Sequence, residues 1–184
     1  MMIKRILLIT LLVSLPCFGA AHSNKEVPSS ERNLYPKQQG FQVVGETTFS
    51  VLFWDIYQSK LLTTTGEYPL DYQYGTLLYE IHYLKDISKK DLLKRTIEQW
   101  QHLGVPEKSY NLYIPLLTNI WPSIKRGDSL SLVVNHMGST FYFNQQFIGT
   151  IDAPEFGPLF LDIWLSVNTS QPKLRSQLLG EYTP

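Results

Sequence analysis

The chain has 184 residues, 16 of them Lys or Arg and 16 Asp or Glu; with no net charge and no basic stripe, it is not marked for nucleic acid or an anionic membrane. A single cysteine, Cys17, rules out an internal disulfide framework and a cysteine-based metal site. Aromatic residues make up 13% of the chain, more than a small core requires, which suits a pocket for a flat or greasy ligand.

At the N-terminus Lys4 and Arg5 precede an apolar run over 6–15 that is too short to span a bilayer, and Gly19 and Ala21 are the small residues of a cleavage site. The pattern predicts a signal peptide over 1–21, hence a periplasmic or secreted protein without a transmembrane segment once it is cleaved. A lipid-modified Cys17 is the alternative, but Ser14-Leu15-Pro16 lacks the small residue such processing needs next to the cysteine. Cleavage leaves 163 residues, with 14 basic against 16 acidic side chains once Lys4 and Arg5 are gone. A chain of that size buries roughly two-thirds of its unfolded surface without staples. Residues 22–40 are polar, carry Pro28 and Pro36 and show no period, so they read as a flexible lead-in to one domain over 41–184.

From Phe41 the stretch FQVVGETTFSVLFWDIYQSKLLTT is rich in β-branched and aromatic residues and predicts a strand or a bent hairpin. Phe49, Val51, Phe53, Asp55 and Tyr57 alternate with Ser50, Leu52, Trp54 and Ile56, so both faces are largely apolar, as in a central strand covered on both sides. Turn residues and Pro69 follow, then a pairing strand over 76–84 sets Leu77, Tyr79, Ile81 and Tyr83 opposite Leu78, Glu80, His82 and Leu84. Ser88 with Asp91 forms a capping box for a helix whose stripe is Leu93, Thr96, Ile97, Trp100 and Leu103, ending at Gly104. A second helix is expected after Pro106, with Tyr110, Tyr113, Ile114, Leu117, Ile120 and Trp121 on its apolar side and a kink at Pro115.

Three short strands over 129–136, 140–144 and 146–151, with turns at Met137-Gly138-Ser139 and Asn144-Gln145, make a meander. Phe156, Leu159, Phe160, Ile163 and Trp164 then recur at i, i+3, i+4, i+7 and i+8, an amphipathic helix. Asp152 and Glu155 offer it a capping-box-like start, which Pro158 moves toward Gly157. A shorter helix follows, capped by Thr169 or Ser170, with Pro172 in its first turn, Leu174 and Leu178 on one face and Gly180 at its end. This order is an α+β pattern, an antiparallel sheet with its helices gathered on one side.

The familiar chemistries find little footing. No G-x-S-x-G elbow occurs, His22, His82, His102 and His136 have no metal-ligand spacing, and no Gly-rich phosphate loop joins a strand to a helix. Neither a metal nor a cofactor is expected. Asp55 inside an apolar strand faces solvent, pairs with a residue such as Lys60, or marks a site. An aromatic-lined gap between sheet and helices is the default ligand site of such an architecture, and Trp54, Tyr57, Trp100, Tyr113, Trp121 and Trp164 are its candidate walls.

The segments VGETTFSVLFWDIYQSKL, YLKDISKKDLLKRTIEQW, IWPSIKRGDSLSL, FYFNQQFIGTI, FGPLFLDIWLS and LRSQLLG, spanning 44–180, carry a further signal. With D-I-Y in the long strand, aromatic-N-x-x-x-I-G in the meander and I-W-L-S ahead of L-L-G, the chain resembles the bacterial chalcone isomerase-like family of exported proteins. The resemblance implies the chalcone isomerase-like fold, an open-faced β-sandwich in which a large antiparallel sheet carries a layer of helices. It also implies what to look for: plant enzymes of this fold cyclise a chalcone using a strand arginine with a tyrosine, an asparagine and threonines, and non-catalytic relatives hold a fatty acid by that arginine.

Where the arginine would fall, this chain has Gly45-Glu46-Thr47-Thr48, and Leu52 stands where the strand threonine would be. Lys125 or Arg126 could substitute from elsewhere. The expected function is therefore a non-catalytic binder of a small apolar or amphipathic ligand. The alternatives are an isomerase or intramolecular lyase, with Tyr57, Tyr79, Tyr113 or Tyr142 as hydroxyl donor, and an envelope module that docks a protein partner.

Overall fold

A computed structural model of the chain describes residues 35, 36 and 40–181. The signal-peptide reading over 1–21, His22 and most of the lead-in lie outside the described residues.

Six strands form one sheet in chain order, every neighbouring pair antiparallel: β1 (Gln42–Val51), β2 (Trp54–Thr63), β3 (Leu77–Tyr83), β4 (Ser129–Asn135), β5 (Gly138–Phe143) and β6 (Gln146–Ile151). The long apolar stretch is thus a hairpin at the sheet edge rather than a central strand. Val51 pairs with Trp54, leaving Leu52 and Phe53 as a two-residue turn with Leu52 at φ 56°. Leu52 is therefore not a strand residue at all, and Phe53 and Trp54 stand in solvent, because a turn there reverses the chain before either face can be covered. Nothing in the residue types announced it, since such turns favour glycine or asparagine.

Between β3 and β4 the chain leaves the sheet for α1 (Lys89–His102), the single turn α2 (Glu107–Tyr110), a 3-10 turn over Asn111–Tyr113, and α3 (Ile114–Ile120). Ser88 caps α1 as its sequence demands: its hydroxyl accepts the Asp91 N–H at 3.1 Å and donates to the Asp91 carboxylate at 2.6 Å. The expected single kinked helix is broken in three, with Pro115 in the first turn of α3, where its missing N–H costs nothing. The excursion closes where Ile87 and Ile124 exchange backbone hydrogen bonds of 3.0 and 2.9 Å, which brings β4 beside β3.

After β6 come α4 (Phe156–Leu165) and α5 (Pro172–Leu178). Neither takes the side-chain cap expected for it. Thr169 instead donates its hydroxyl to the Ile163 carbonyl at 2.7 Å, Ser170 donates to Gln99 of α1 at 2.7 Å, and Arg175 Nε donates to the Leu165 carbonyl at 2.8 Å, where a cation suits a helix C-terminus.

Strand alternation sends Leu61, Tyr79, Ile81, Leu132 and Phe141 to the helix side, where they meet Trp121, Phe156 and Phe160 in the core. Glu46, Lys60, Glu80 and His82 point to the other face. There the Tyr35 ring, from the stretch read as lead-in, stands edge-on to Tyr142 at 5.3 Å, and its hydroxyl donates to the Glu80 carboxylate.

Candidate functional site

The helices do not fill the space above the sheet. A cavity of about 610 Å³ lies between the helix side of the sheet and helices α1 and α4. Its floor is apolar and aromatic: Tyr79, Ile81, Leu132, Phe141 and Phe160 are nearly inaccessible to solvent. Its mouth is polar, with Asp91, Arg95 and Gln99 presented by α1 and Gln171 by the segment before α5. The α1 residues sit at i, i+4 and i+8, so one helix face supplies them, with Leu92 and Thr96 turning the same side inward.

Inside, three tyrosines set the polarity. Trp164 Nε1 donates to the Tyr57 hydroxyl at 2.9 Å, joining α4 to β2 across the gap. Burial pushes the Tyr57 hydroxyl up to about 12, the indole N–H opposing the shift. Burial likewise raises Tyr79 and Tyr83 well above the usual phenol range. The Tyr79 hydroxyl lies by Ser59, which favours its ionised form but is outweighed by burial, and the two make no hydrogen bond of good geometry. All three phenols are therefore neutral hydrogen-bonding groups at ordinary pH rather than bases.

At the mouth Arg95 is the cation nearest the cavity. Its guanidinium is largely exposed and pairs with Glu98 at 2.8 Å along the helix, an arrangement that solvent weakens and a competing anion can displace. Asp86, also on the rim, accepts the Arg126 backbone N–H at 2.8 Å and pairs with Lys125 at 3.0 Å; these bonds hold its carboxyl below the usual range. Lys125 is thus engaged with Asp86, and neither it nor Arg126 lines the cavity.

The sequence candidates divide. Tyr57, Trp121 and Trp164 line the cavity. Trp100 does not: it is fully buried, stacks on Tyr110 at 5.1 Å and donates to the Leu159 carbonyl at 3.1 Å, pinning α1 to α4. Tyr113 packs on Phe156 and donates to the Glu155 carboxylate at 3.1 Å, outside the cavity. Trp54 is exposed at the β1–β2 turn beneath Lys85, whose Nζ is 4.3 Å from the ring centroid. Asp55 is exposed and accepts the Ser50 hydroxyl at 2.6 Å, while Lys60 pairs with Glu46 at 3.0 Å. Of the remaining hydroxyl candidates, Tyr79 is on the cavity wall and Tyr142 on the opposite face of the sheet. Sequence reasoning missed Arg95, Gln99 and Tyr83. The first two could have been found from their spacing with Asp91, the last from its alternation with Tyr79 and Ile81.

The stretch of β1 where the resemblance looks for an arginine carries no cation, and its two helix-facing positions, Gly45 and Thr47, lie against α5. A Cβ on Gly45 would lie 2.3 Å from the Gln177 carbonyl oxygen, and the Thr47 hydroxyl donates to the Gln177 side chain. Helix α5 occupies the space a long basic side chain would need. Among the described residues no group of His, Cys, Asp and Glu could hold a metal ion, and no helix is long and apolar enough to cross a membrane.

Comparison with known proteins agrees with this architecture. A sequence search of curated proteins returns no match. Among solved structures, the crystal structure of a fatty-acid binding protein of Arabidopsis thaliana is similar, with a TM-score of 0.53 and 9% identity, covering 79% of this chain and 85% of that one. At that identity the likeness concerns the fold. The family model described as chalcone isomerase-like matches residues 35–180, which take in the whole sheet and helices α1 to α5. The chain belongs to the chalcone isomerase-like family.

Proposed function

We propose that the protein is an exported, non-catalytic carrier that holds a small amphipathic molecule in the cavity between sheet and helices, its apolar body on the floor and an anionic or polar head near Arg95. The observation that carries this reading is the cavity itself, about 610 Å³ with an aromatic floor and a polar mouth. Its volume falls within the roughly 300–1,000 Å³ of small-molecule sites. The fatty-acid binding activity named for the Arabidopsis thaliana structure supports the ligand class. Export rests on the basic, apolar and small-residue order of residues 1–21.

Parinaric acid, whose fluorescence rises in apolar surroundings, tests the reading directly. The expected result is saturable binding that weakens about tenfold in Arg95→Gln, the loss of one charge-assisted contact. No uptake by folded protein would sink the proposal, and mass spectrometry of a native extract would identify the natural ligand. N-terminal sequencing of protein from the periplasmic fraction tests cleavage after Ala21.

One observation favours a second reading, an isomerase acting on an unsaturated substrate. Tyr79 lines the cavity, protonated, with a hydroxyl that has no hydrogen-bond partner. Such a group can donate to a developing oxyanion. Turnover of a chalcone by the wild type, abolished in Tyr79→Phe, would establish it; a folded, ligand-binding protein without turnover would dismiss it.

A further inference from the structure

Beside the cavity mouth stands a turn from which the core takes no side chain and the cavity only Val51. Val51, Leu52, Phe53 and Trp54 follow one another around the β1–β2 turn with 48, 86, 98 and 62% of their surfaces exposed. Leu52 is held at φ 56°, a conformation that glycine or asparagine adopts more readily. The turn between β5 and β6 shows the alternative, placing Asn144 and Gln145 at φ 49° and 68°. The leucine is therefore not there for the turn's sake.

Size and charge restrict what covers this tip. Four side chains on a projecting two-residue turn fall far short of the ~800 Å² per partner that a stable protein interface buries. The flanking charges are of both signs: Asp86 is paired with Lys125, Lys85 lies over the Trp54 ring, and the exposed Asp55 accepts the Ser50 hydroxyl. Among the described residues around the turn no basic cluster is aimed at an anionic surface. An indole and a lysine, each with an apolar body and a polar end, are side chains that settle at the boundary between headgroups and acyl chains. Val51, on the same hairpin, also lines the cavity mouth.

We propose that the β1–β2 turn inserts Leu52, Phe53 and the edge of Trp54 into the surface of a neutral, zwitterionic lipid bilayer and so sets the cavity mouth against it. The docking itself stands on the turn; only its purpose, collecting or delivering an amphipathic ligand, rests on the reading of the cavity given above.

Flotation with phosphatidylcholine vesicles, alongside tryptophan fluorescence, tests the docking, and parinaric acid uptake in lipid-free buffer tests the cavity separately. The wild type is expected to float at low and high salt alike, with a blue shift absent from Trp54→Phe. The double variant Leu52→Asn, Phe53→Ser suits the turn, so it should keep its circular dichroism and its parinaric acid affinity while vesicle affinity drops at least about tenfold. A wild type that never floats, or a double variant that floats equally well, overturns the proposal. So does binding confined to phosphatidylglycerol vesicles and lost at high salt, and so does a wild-type dimer, abolished by the same double substitution, that forms without flotation. Flotation with no parinaric acid uptake supports the docking and removes the cavity reading, whereas uptake with no flotation does the reverse.

Discussion

The two faces of the sheet are built from the same strands and the same alternation, yet they do different work. On the helix side Leu61, Tyr79, Leu132 and Phe141 are almost completely buried, and the rings of Phe156 and Phe160 stack at 5.6 Å above them. On the other side Glu46 and Lys60 form an ion pair with both side chains substantially exposed, and His82 shares a 3.2 Å hydrogen bond with Ser129 near solvent. Burial of apolar area dominates folding energy while an exposed ion pair contributes little, so both stability and the cavity belong to the helix face. The difference teaches that this cavity is an incompletely filled part of the core rather than a surface groove added to it, and ligand binding and stability should therefore be coupled.

The largest expected effect comes with alkaline pH; it is centred on the helix face, although burial also raises the phenols of Tyr35 and Tyr142 on the outer face. Tyr57, Tyr79 and Tyr83 on the helix face have phenols raised by burial, Tyr57 to about 12, whereas an unfolded phenol titrates near ~10. Above that lower value the unfolded chain has lost protons that the folded chain retains, so stability is full below about pH 10 and is lost as pH rises through the folded values. Phenolate absorbance from these three residues should rise together with loss of the circular dichroism signal; phenolate appearing well before unfolding would mean that they are accessible.

Next in size is Phe160→Ala, which removes a ring packed on Phe156, Trp121 and Phe141 and should cost ~3–5 kcal/mol in urea denaturation. A saturating ligand that recovers part of that loss would show the coupling between core and cavity directly. Gly45→Ala should cost ~1–3 kcal/mol, because the new methyl group meets the Gln177 carbonyl and must push α5 off β1. Limited proteolysis should then cut first in α5, and a native cleavage pattern would count against that displacement. Smallest of all, Lys60→Met on the outer face breaks the pair with Glu46 and should change stability by under ~1 kcal/mol. A larger loss would mean that the outer face carries more of the fold's stability than its exposure implies.

Much of this architecture was legible in the chain because its signals are local. The Ser88 and Asp91 pair set the start of α1, the alternation of Leu77, Tyr79, Ile81 and Tyr83 named the buried face of β3, and the stripe from Phe156 to Trp164 marked α4. The failures were local too, where a residue contradicted its own backbone. Leu52 in a left-handed turn hid the place where the expected bent hairpin reverses, and with it the true position of Trp54, which reads as core and stands in solvent. The site was less legible than the fold. Three of the six aromatic candidates reach the cavity, while Trp100 and Tyr113 serve helix packing, and nothing in their immediate neighbours distinguishes the two roles.

What the sequence by itself determined is therefore the class, the strand and helix faces and the family, since side-chain period, capping and motif order are all written within a few residues of one another. Only the tertiary structure decided that the layers leave a gap, that Arg95 rather than Lys125 or Arg126 stands at its mouth, and that α5 fills the place where a strand arginine was sought. The reason is distance along the chain. Tyr57 meets Trp164 across 107 positions and Thr47 meets Gln177 across 130, and a cavity is the space such long-range contacts leave unfilled, which no local pattern encodes.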